Sequence, residues 1–334
     1  MPEPVLSVRN LKTYFFMEEG VVKAVDGVNF DLYQNEVLGI VGETGSGKSV
    51  TVKSIMRLIK SPGKIVDGEI IYTTKEGEKI DILKIPEKEL YKVRGSEISM
   101  VFQDPMTSLN PLFTIGDQLV ETIMIHQNLD KDKARKRAIE ILDMVGIPEP
   151  QKRINSYPFE FSGGMRQRVV IAIALSCNPR ILIADEPTTA LDVTIQAQIL
   201  DLFRNLQKEF KTAVIFITHD LGVIASMADR IMVMYGGKQM ELASADDIFY
   251  RPMHPYTHML LKSIPRIDRR IDKLEPIPGQ PPRMVNIPPV CPFLPRCPRR
   301  MEKCKESLPE FVEIENGHFV RCFNPVKQEA GAQV

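Results

Sequence analysis

The stretch Gly42-Glu43-Thr44-Gly45-Ser46-Gly47-Lys48-Ser49 constrains this chain more than any other. It is a G-x4-G-K-S run between a continuous aliphatic pattern (residues 37–41) and helical apolar spacing (residues 49–59). Strand, glycine loop and helix in that order demand an α/β layer in which a buried strand ends against a helix N-terminus. The glycines let successive amides turn inward around anionic oxygens, and the helix start adds partial positive charge. Lys48 can reach the β- and γ-phosphates of a nucleotide, and Ser49 can offer its hydroxyl to Mg2+. The candidate phosphate cradle is therefore Gly42, Glu43, Thr44, Gly45, Ser46, Gly47, Lys48, Ser49 and Val50. An ordinary glycine-rich turn would not require the lysine and hydroxyl at those places.

Two later strand ends carry chemistry. Ile181-Leu182-Ile183-Ala184 closes in Asp185-Glu186-Pro187, with the proline stopping the strand just past the acids. Asp185 is the candidate Mg2+ ligand, and Glu186 the candidate for orienting water toward a γ-phosphate. Solvated loop acids are the alternative, and the phosphate loop upstream argues against it. The run Ala213-Val214-Ile215-Phe216-Ile217 ends in Thr218-His219-Asp220, which puts His219 where ligands of open α/β sheets collect. Composition alone leaves His219 open between a structural and a catalytic role.

Between these motifs, alternating apolar residues over 5–32 predict half-buried strands, and three-to-four spacing over 115–145 predicts a helical subdomain. Strands at 181–184, 213–217 and 231–234, separated by helical patterns, predict parallel crossover units around one sheet. After Arg251 the prolines crowd (Pro276, Pro278, Pro281, Pro282, Pro288, Pro289), which predicts an irregular, extended appendage.

Phe161-Ser162-Gly163-Gly164-Met165, followed by Arg166-Gln167-Arg168, resembles the signature of ABC ATPases, usually written Leu-Ser-Gly-Gly-Gln. Phe161 and Met165 depart from that form. Gln103 in Val101-Phe102-Gln103-Asp104-Pro105 is similar to the family's Q-loop, Thr189-Ala190-Leu191-Asp192 to its D-loop, and His219 to its switch histidine. The resemblance runs over about residues 5–250. It implies a cassette of mixed sheet with parallel strands, an antiparallel β subdomain and a helical subdomain near 108–178. It also implies a head-to-tail dimer in which Ser162, Gly163 and Gly164 of one cassette cover the ATP held by the other, so that isolated monomers hydrolyse poorly. In that frame Lys48, Gln103, Glu186 and His219 serve hydrolysis, and Ser49, Gln103 and Asp185 hold Mg2+. Asp192 works across the dimer, and Phe15 stacks on adenine, with Tyr14 the alternative register.

Arg251-Pro252-Met253-His254-Pro255-Tyr256-Thr257, with Ser263-Ile264-Pro265 further on, resembles the tail of dipeptide and oligopeptide importer ATPases. This resemblance implies a cassette over 1–250 and an extension over 251–334. The implied partners are a second, paralogous cassette, two transmembrane permease subunits and, indirectly, a substrate-binding protein. Peptide is the implied cargo, with nickel or another small solute as the alternative, and a soluble non-transport ABC ATPase as the reading from another class.

Four of the five cysteines fall in this tail: Cys291, Cys297, Cys304 and Cys322. In a reducing compartment such clustering favours a metal site over disulfides. Paired C-x2-4-C knuckles typical of zinc are missing, whereas a 4Fe-4S cluster tolerates irregular spacing; zinc stays as the alternative. Arg296, Arg299, Arg300, Lys303 and Lys305 flank the thiols and are expected to favour thiolates. With 43 Lys plus Arg against 43 Asp plus Glu, the chain has no general attraction for nucleic acid. Its N-terminus lacks a signal-peptide pattern and no apolar run is long enough to span a bilayer, so the chain is expected to stay in the cytoplasm, and the resemblance to importer ATPases implies a peripheral place on the cytoplasmic face of the membrane.

Overall fold

The computed structural model describes residues 3–189, 191–263 and 277–326. The elements begin with β1 (Leu6–Met17), β2 (Gly20–Leu32), β3 (Val37–Val41), α1 (Lys48–Ile55), β4 (Gly63–Thr73) and β5 (Lys79–Asp81). A middle stretch follows: α2 (Glu87–Val93), β6 (Ile98–Val101), α3 (Pro105–Ser108), α4 (Ile115–Gln127), α5 (Lys131–Met144), α6 (Pro150–Arg153) and α7 (Gly163–Leu175). Then come β7 (Ile181–Asp185), α8 (Val193–Phe210), β8 (Ala213–Ile217), α9 (Leu221–Met227), β9 (Arg230–Tyr235), β10 (Lys238–Ser244) and α10 (Ala245–Tyr250). The tail adds α11 (Pro255–Lys262), α12 (Lys303–Glu306), β11 (Val312–Glu315) and β12 (His318–Val320). Ala190, Ile264, Pro265 and Pro276 lie outside the described residues.

The chain divides into two compact units. The first gathers residues up to Leu6, Leu32–Glu36 and Tyr72–Ile217; the second gathers Ser7–Asp31, Val37–Ile71 and the chain from Thr218 onward.

In the first unit β6, β7 and β8 run parallel, with Val101 opposite Ala184 and Asp185 opposite Ile217. Every residue of β7 and β8 is buried, as their unbroken aliphatic sequences require of strands covered on both faces. The long helical pattern over 115–145 resolves into two helices. Asn128 takes a left-handed φ of 50° and ends α4, and the Asp130 carboxylate accepts from Lys133 N–H at 2.9 Å to start α5. With α7, these two helices form the helical part of the unit.

In the second unit the strand order is β11-β12-β10-β9-β3, with β3 parallel to β9 and the other pairs antiparallel. The order β2-β1-β4 forms a separate sheet. The tail beyond Arg251 is less irregular than its prolines predict: β11 and β12 form a hairpin whose β12 pairs with β10. An Asn316-Gly317 turn, with Gly317 at φ 74°, makes the reversal. That dipeptide is a strong hairpin signal, and Val312-Glu313-Ile314-Glu315 before it alternates apolar and polar residues, although all four are exposed in β11. His318 and Val320 bury on β12 and seat the hairpin.

Candidate nucleotide site

In the second unit the chain leaves β3 at Val41, turns through residues 42–47 and enters α1 at Lys48. Gly42 sits at φ 149° and Gly47 at φ 103°. A Cβ on either would fall 2.1 Å from the Met234 carbonyl oxygen or 2.2 Å from that of Ala24, so the loop closes against β9 and β2 only without side chains. Lys48 is 5% exposed, and its Nζ donates to the carbonyls of Gly42 at 2.7 Å and Glu43 at 3.1 Å. Thr44 and Gly45 are exposed at the crown of the loop, while Ser49 and Val50 are half-buried in the first turn of α1. Gly237 N–H donates to the Ser46 carbonyl at 3.1 Å, and Ser46 Oγ is buried without a hydrogen-bond partner. Glu43 N–H donates to the Tyr256 hydroxyl at 3.0 Å.

The aromatic pair on β1 separates by environment. Tyr14 Oη donates to Asp26 Oδ1 at 2.8 Å, with Lys23 Nζ 5.6 Å from the ring centroid. Burial, together with the hydrogen bond to Asp26, raises the Tyr14 phenol above its usual range. Burial opposes the charge of Asp26, yet the 2.7 Å bond from Lys238 outweighs it and holds the carboxyl below its ordinary value. The half-buried Phe15 ring instead packs close over Gly63. His219 lies exposed two residues past the end of β8.

The first unit assembles another group of the expected residues. Gln103 lies two residues beyond Val101 and Glu186 two beyond Ala184. Since those two positions face each other on parallel strands, equal offsets bring both side chains to one sheet edge. Gln103 Nε2 donates to Glu186 Oε2 at 3.2 Å, and Thr189 Oγ1 donates to the same oxygen at 2.9 Å. Glu186 holds a left-handed φ of 50°, a strained conformation for a non-glycine residue at the point where the acid must face outward. Its N–H donates to the Ile217 carbonyl at 3.0 Å. Asp185 ends β7, 2% exposed. Asp185 and Ser49 both supply oxygen, the donor type that suits Mg2+.

Ser162 caps α7, its Oγ accepting from Met165 N–H at 3.3 Å, so α7 starts at Gly163 immediately behind the cap. Ser162 and Gly163 are exposed, and nothing lies within 4 Å of a Cβ built on Gly163. Phe161 is 2% exposed under the Arg153 guanidinium, 5.8 Å from its ring centroid. Both departures from the common signature thus have plain roles: Phe161 is a core anchor and Met165 contributes its backbone to the cap. Asp192 is exposed and caps α8, accepting from Ile195 N–H at 2.9 Å.

Cys291, Cys297, Cys304 and Cys322 line a single cavity with His254, Arg299, Arg300 and Arg321, and none is in a disulfide. The flanking cations do not win. Burial pushes the Cys291 thiol up to about 12 and that of Cys322 up to about 11, and raises Cys297 as well, because the cavity removes water from the thiolate faster than the arginines compensate. Among the described residues no three Cys, His, Asp or Glu side chains close on one metal ion.

Tyr235, Tyr256 and Arg296 meet around the phosphate loop, a role that no sequence signal gives them, even for Tyr256 in the tail motif. They reach it from roughly 190 to 250 positions away, and only the fold brings them there.

A phosphate loop with an inward lysine, a strand-end acid pair joined by a glutamine and an exposed Ser-Gly-Gly helix start together define an ATP-hydrolysing cassette. Residues 25–189 match the family model described as ABC transporter, and residues 240–304 match that of the oligopeptide/dipeptide transporter C-terminal region. The chain belongs to the ABC transporter ATP-binding family, in the branch that carries the oligopeptide/dipeptide C-terminal region. It is 52% identical over 330 residues to the oligopeptide transport ATP-binding protein AppD of Bacillus subtilis, covering 98% of each chain. It is 49% identical over 326 residues to the OppD protein of Escherichia coli, covering 98% of this chain and 95% of that one. Among solved structures it resembles a dimeric ATP-binding cassette in a post-hydrolysis state bound to ADP and Pi. The TM-score is 0.63 at 30% identity, covering 72% of this chain and 98% of that one. The expected cassette fold and ATPase class are borne out. No helix among the described residues is long and apolar enough to cross a membrane.

Proposed function

We propose that this chain is the ATPase subunit of an importer for dipeptides or oligopeptides, working peripherally on the cytoplasmic face of the membrane. The observation that carries the reading is the continuous match of cassette and tail to peptide-transport ATP-binding proteins. Gly42 to Val50 would hold the ATP phosphates, Phe15 the adenine, and Ser49, Gln103 and Asp185 the Mg2+, which neutralises charge on the phosphates. Glu186 would orient the attacking water, its carboxylate steadied by Gln103 and Thr189, with His219 a second polar group for the γ-phosphate and Lys48 for the transferred charge. Ser162, Gly163, Gly164 and Asp192 would face the nucleotide of a second, paralogous cassette. Exposed apolar side chains in the first unit, among them Leu112 at 80% and Phe159 at 69%, support a docking surface for two permease subunits, with a substrate-binding protein acting through them. Co-purification from native membranes tests this. Recovery with two multispanning proteins and a second cassette is the expected result, whereas recovery with ribosomes or DNA would overturn it.

The four thiols on one cavity favour one more element, a 4Fe-4S cluster. Each thiolate would bind its own iron, so the four sulfurs need not converge on a single ion. Ligation requires deprotonation, so the raised thiols make loading more favourable as pH rises. Cys291, Cys297, Cys304 and Cys322 would hold the cluster and thereby order a proline-rich segment. Anaerobically purified protein is expected to be brown, with iron and sulfide near about four per chain; colourless protein carrying zinc would overturn the cluster.

A further inference from the structure

Within the phosphate loop, Glu43 presents a carboxylate beside a site built for a polyanion, and an uncompensated negative charge there would repel each phosphate. That charge is met from the tail. Arg296 Nη1 donates to Glu43 Oε1 at 3.0 Å and Oε2 at 2.8 Å, and the side chains are only 6% and 22% exposed. Arg296 is itself held on every side. Its Nη1 also donates to Tyr235 Oη at 3.0 Å, its Nε to the Pro278 carbonyl at 3.0 Å and its Nη2 to the Ile277 carbonyl at 3.2 Å. The guanidinium lies 5.7 Å from the Tyr235 ring centroid and 6.0 Å from that of Phe293. The backbone of Glu43 is fixed from the same direction, through the 3.0 Å bond from its N–H to the fully buried Tyr256. Lys48 Nζ in turn donates to the Glu43 carbonyl at 3.1 Å. One loop residue therefore connects the catalytic lysine to a tail arginine more than two hundred positions away.

We propose that Arg296 is a positioning residue of the phosphate site: it neutralises Glu43 and fixes the loop that binds ATP, which makes the C-terminal extension part of the nucleotide site. The inference rests on residues 42–50 holding ATP phosphates. Arg296 also ends the short 3-10 turn Leu294–Arg296 between Cys291 and Cys297, so one short turn links the thiol-lined cavity to the phosphate loop.

The test is titration of the purified full chain with trinitrophenyl-ATP and trinitrophenyl-ADP, alongside thermal unfolding. R296Q is expected to weaken ATP about tenfold and ADP less, because the repulsion grows with phosphate charge. R296K, which keeps a point charge without the planar fork, is expected to fall between. The double variant R296Q/E43Q, which removes both charges at similar volume, is expected to recover most of the affinity lost in R296Q. A double variant as weak as R296Q, or equal losses for ATP and ADP, would reduce Arg296 to a packing role and overturn the proposal. R296Q indistinguishable from wild type, with K48A abolishing binding, would overturn it alone. Wild-type protein that binds neither nucleotide would overturn it together with the phosphate-loop reading.

Discussion

The two units complete their functional surfaces to different degrees. In the second, the phosphate loop is closed by its own chain: Lys48 is buried on loop carbonyls, Glu43 is clamped by Arg296 and Tyr256, and two glycines admit neighbouring backbone. In the first, Gln103, Ser162, Gly163 and Asp192 are exposed, and the hydroxyl of Ser162 and the carboxylate of Asp192 each cap a helix. Gly164 admits Ile195, whose Cγ2 would lie 2.7 Å from a Cβ there, but Gly163 has open space, and capping alone would not ask for glycine at that position, since glycine loses more chain entropy than alanine. One region is finished by intramolecular packing, and the other leaves its polar groups open to solvent.

The largest effect that could break this contrast belongs to Glu186. In Glu186→Gln the amide keeps the shape but cannot accept a proton, and general-base roles are worth about 10²–10⁴ in rate. ATP turnover of the assembled transporter is expected to fall by at least about a hundredfold while ATP binding persists. Turnover within about threefold of wild type would take Glu186 out of the chemistry and leave the first unit without a reason for its strained φ.

A second, smaller effect tests how tightly the tail is built into the second unit. His254 is fully buried, caps α11 by accepting Tyr256 N–H at 3.0 Å on Nδ1, and has its pKa lowered to about 4, chiefly by burial; the Glu241 charge and a hydrogen bond with the Arg321 backbone pull the other way, and the Arg321 guanidinium charge adds a smaller lowering. The unfolded chain binds the proton near the ordinary 6.5, so its contribution to stability is fully present above that pH and is lost as pH falls toward 4. Between pH 7.5 and 5 the loss is expected to be about 2 kcal/mol, read from urea midpoints. His254→Asn, which retains a cap but does not titrate, should flatten that part of the slope. An unchanged acid dependence would show that the loss arises elsewhere.

Most of the fold and the nucleotide motifs were legible because they are local. A G-x4-G-K-S run, an aliphatic strand closing in two acids and a Ser-Gly-Gly helix start each carry their chemistry within a few residues. What was not legible is what crosses the chain. Arg296 reads in sequence as one more cation flanking the cysteines, and its fork toward Glu43 exists only once the tail is folded against β9 and the loop. The thiols failed differently: counting nearby arginines suggested thiolates, but burial is a property of the packed cavity and outweighs the charges. Hairpin β11-β12 is hidden differently: the alternating Val312-Glu313-Ile314-Glu315 run is only four residues long and follows a proline-dense stretch that predicts an irregular, extended appendage, so the short alternation and the Asn-Gly turn become a hairpin only once β12 pairs with β10.

The smallest effect sharpens where the signature's function ends and its packing begins. Phe161 replaces the leucine usual at this position of the motif, and it is buried under Arg153, at the residue before the α7 cap. Phe161→Leu removes part of a ring from a filled site and the contact with the guanidinium, so the expected cost is about 1 kcal/mol, visible as a few degrees in the thermal unfolding of the full chain. Turnover of the assembled transporter should stay within about twofold, because the atoms offered outward are those of Ser162 and Gly163, whose cap geometry depends on Met165 N–H and not on the ring. A tenfold loss of turnover without loss of stability would mean that the ring sets the angle at which α7 presents its first turn. In that case the exposed start of α7 would depend on its buried support.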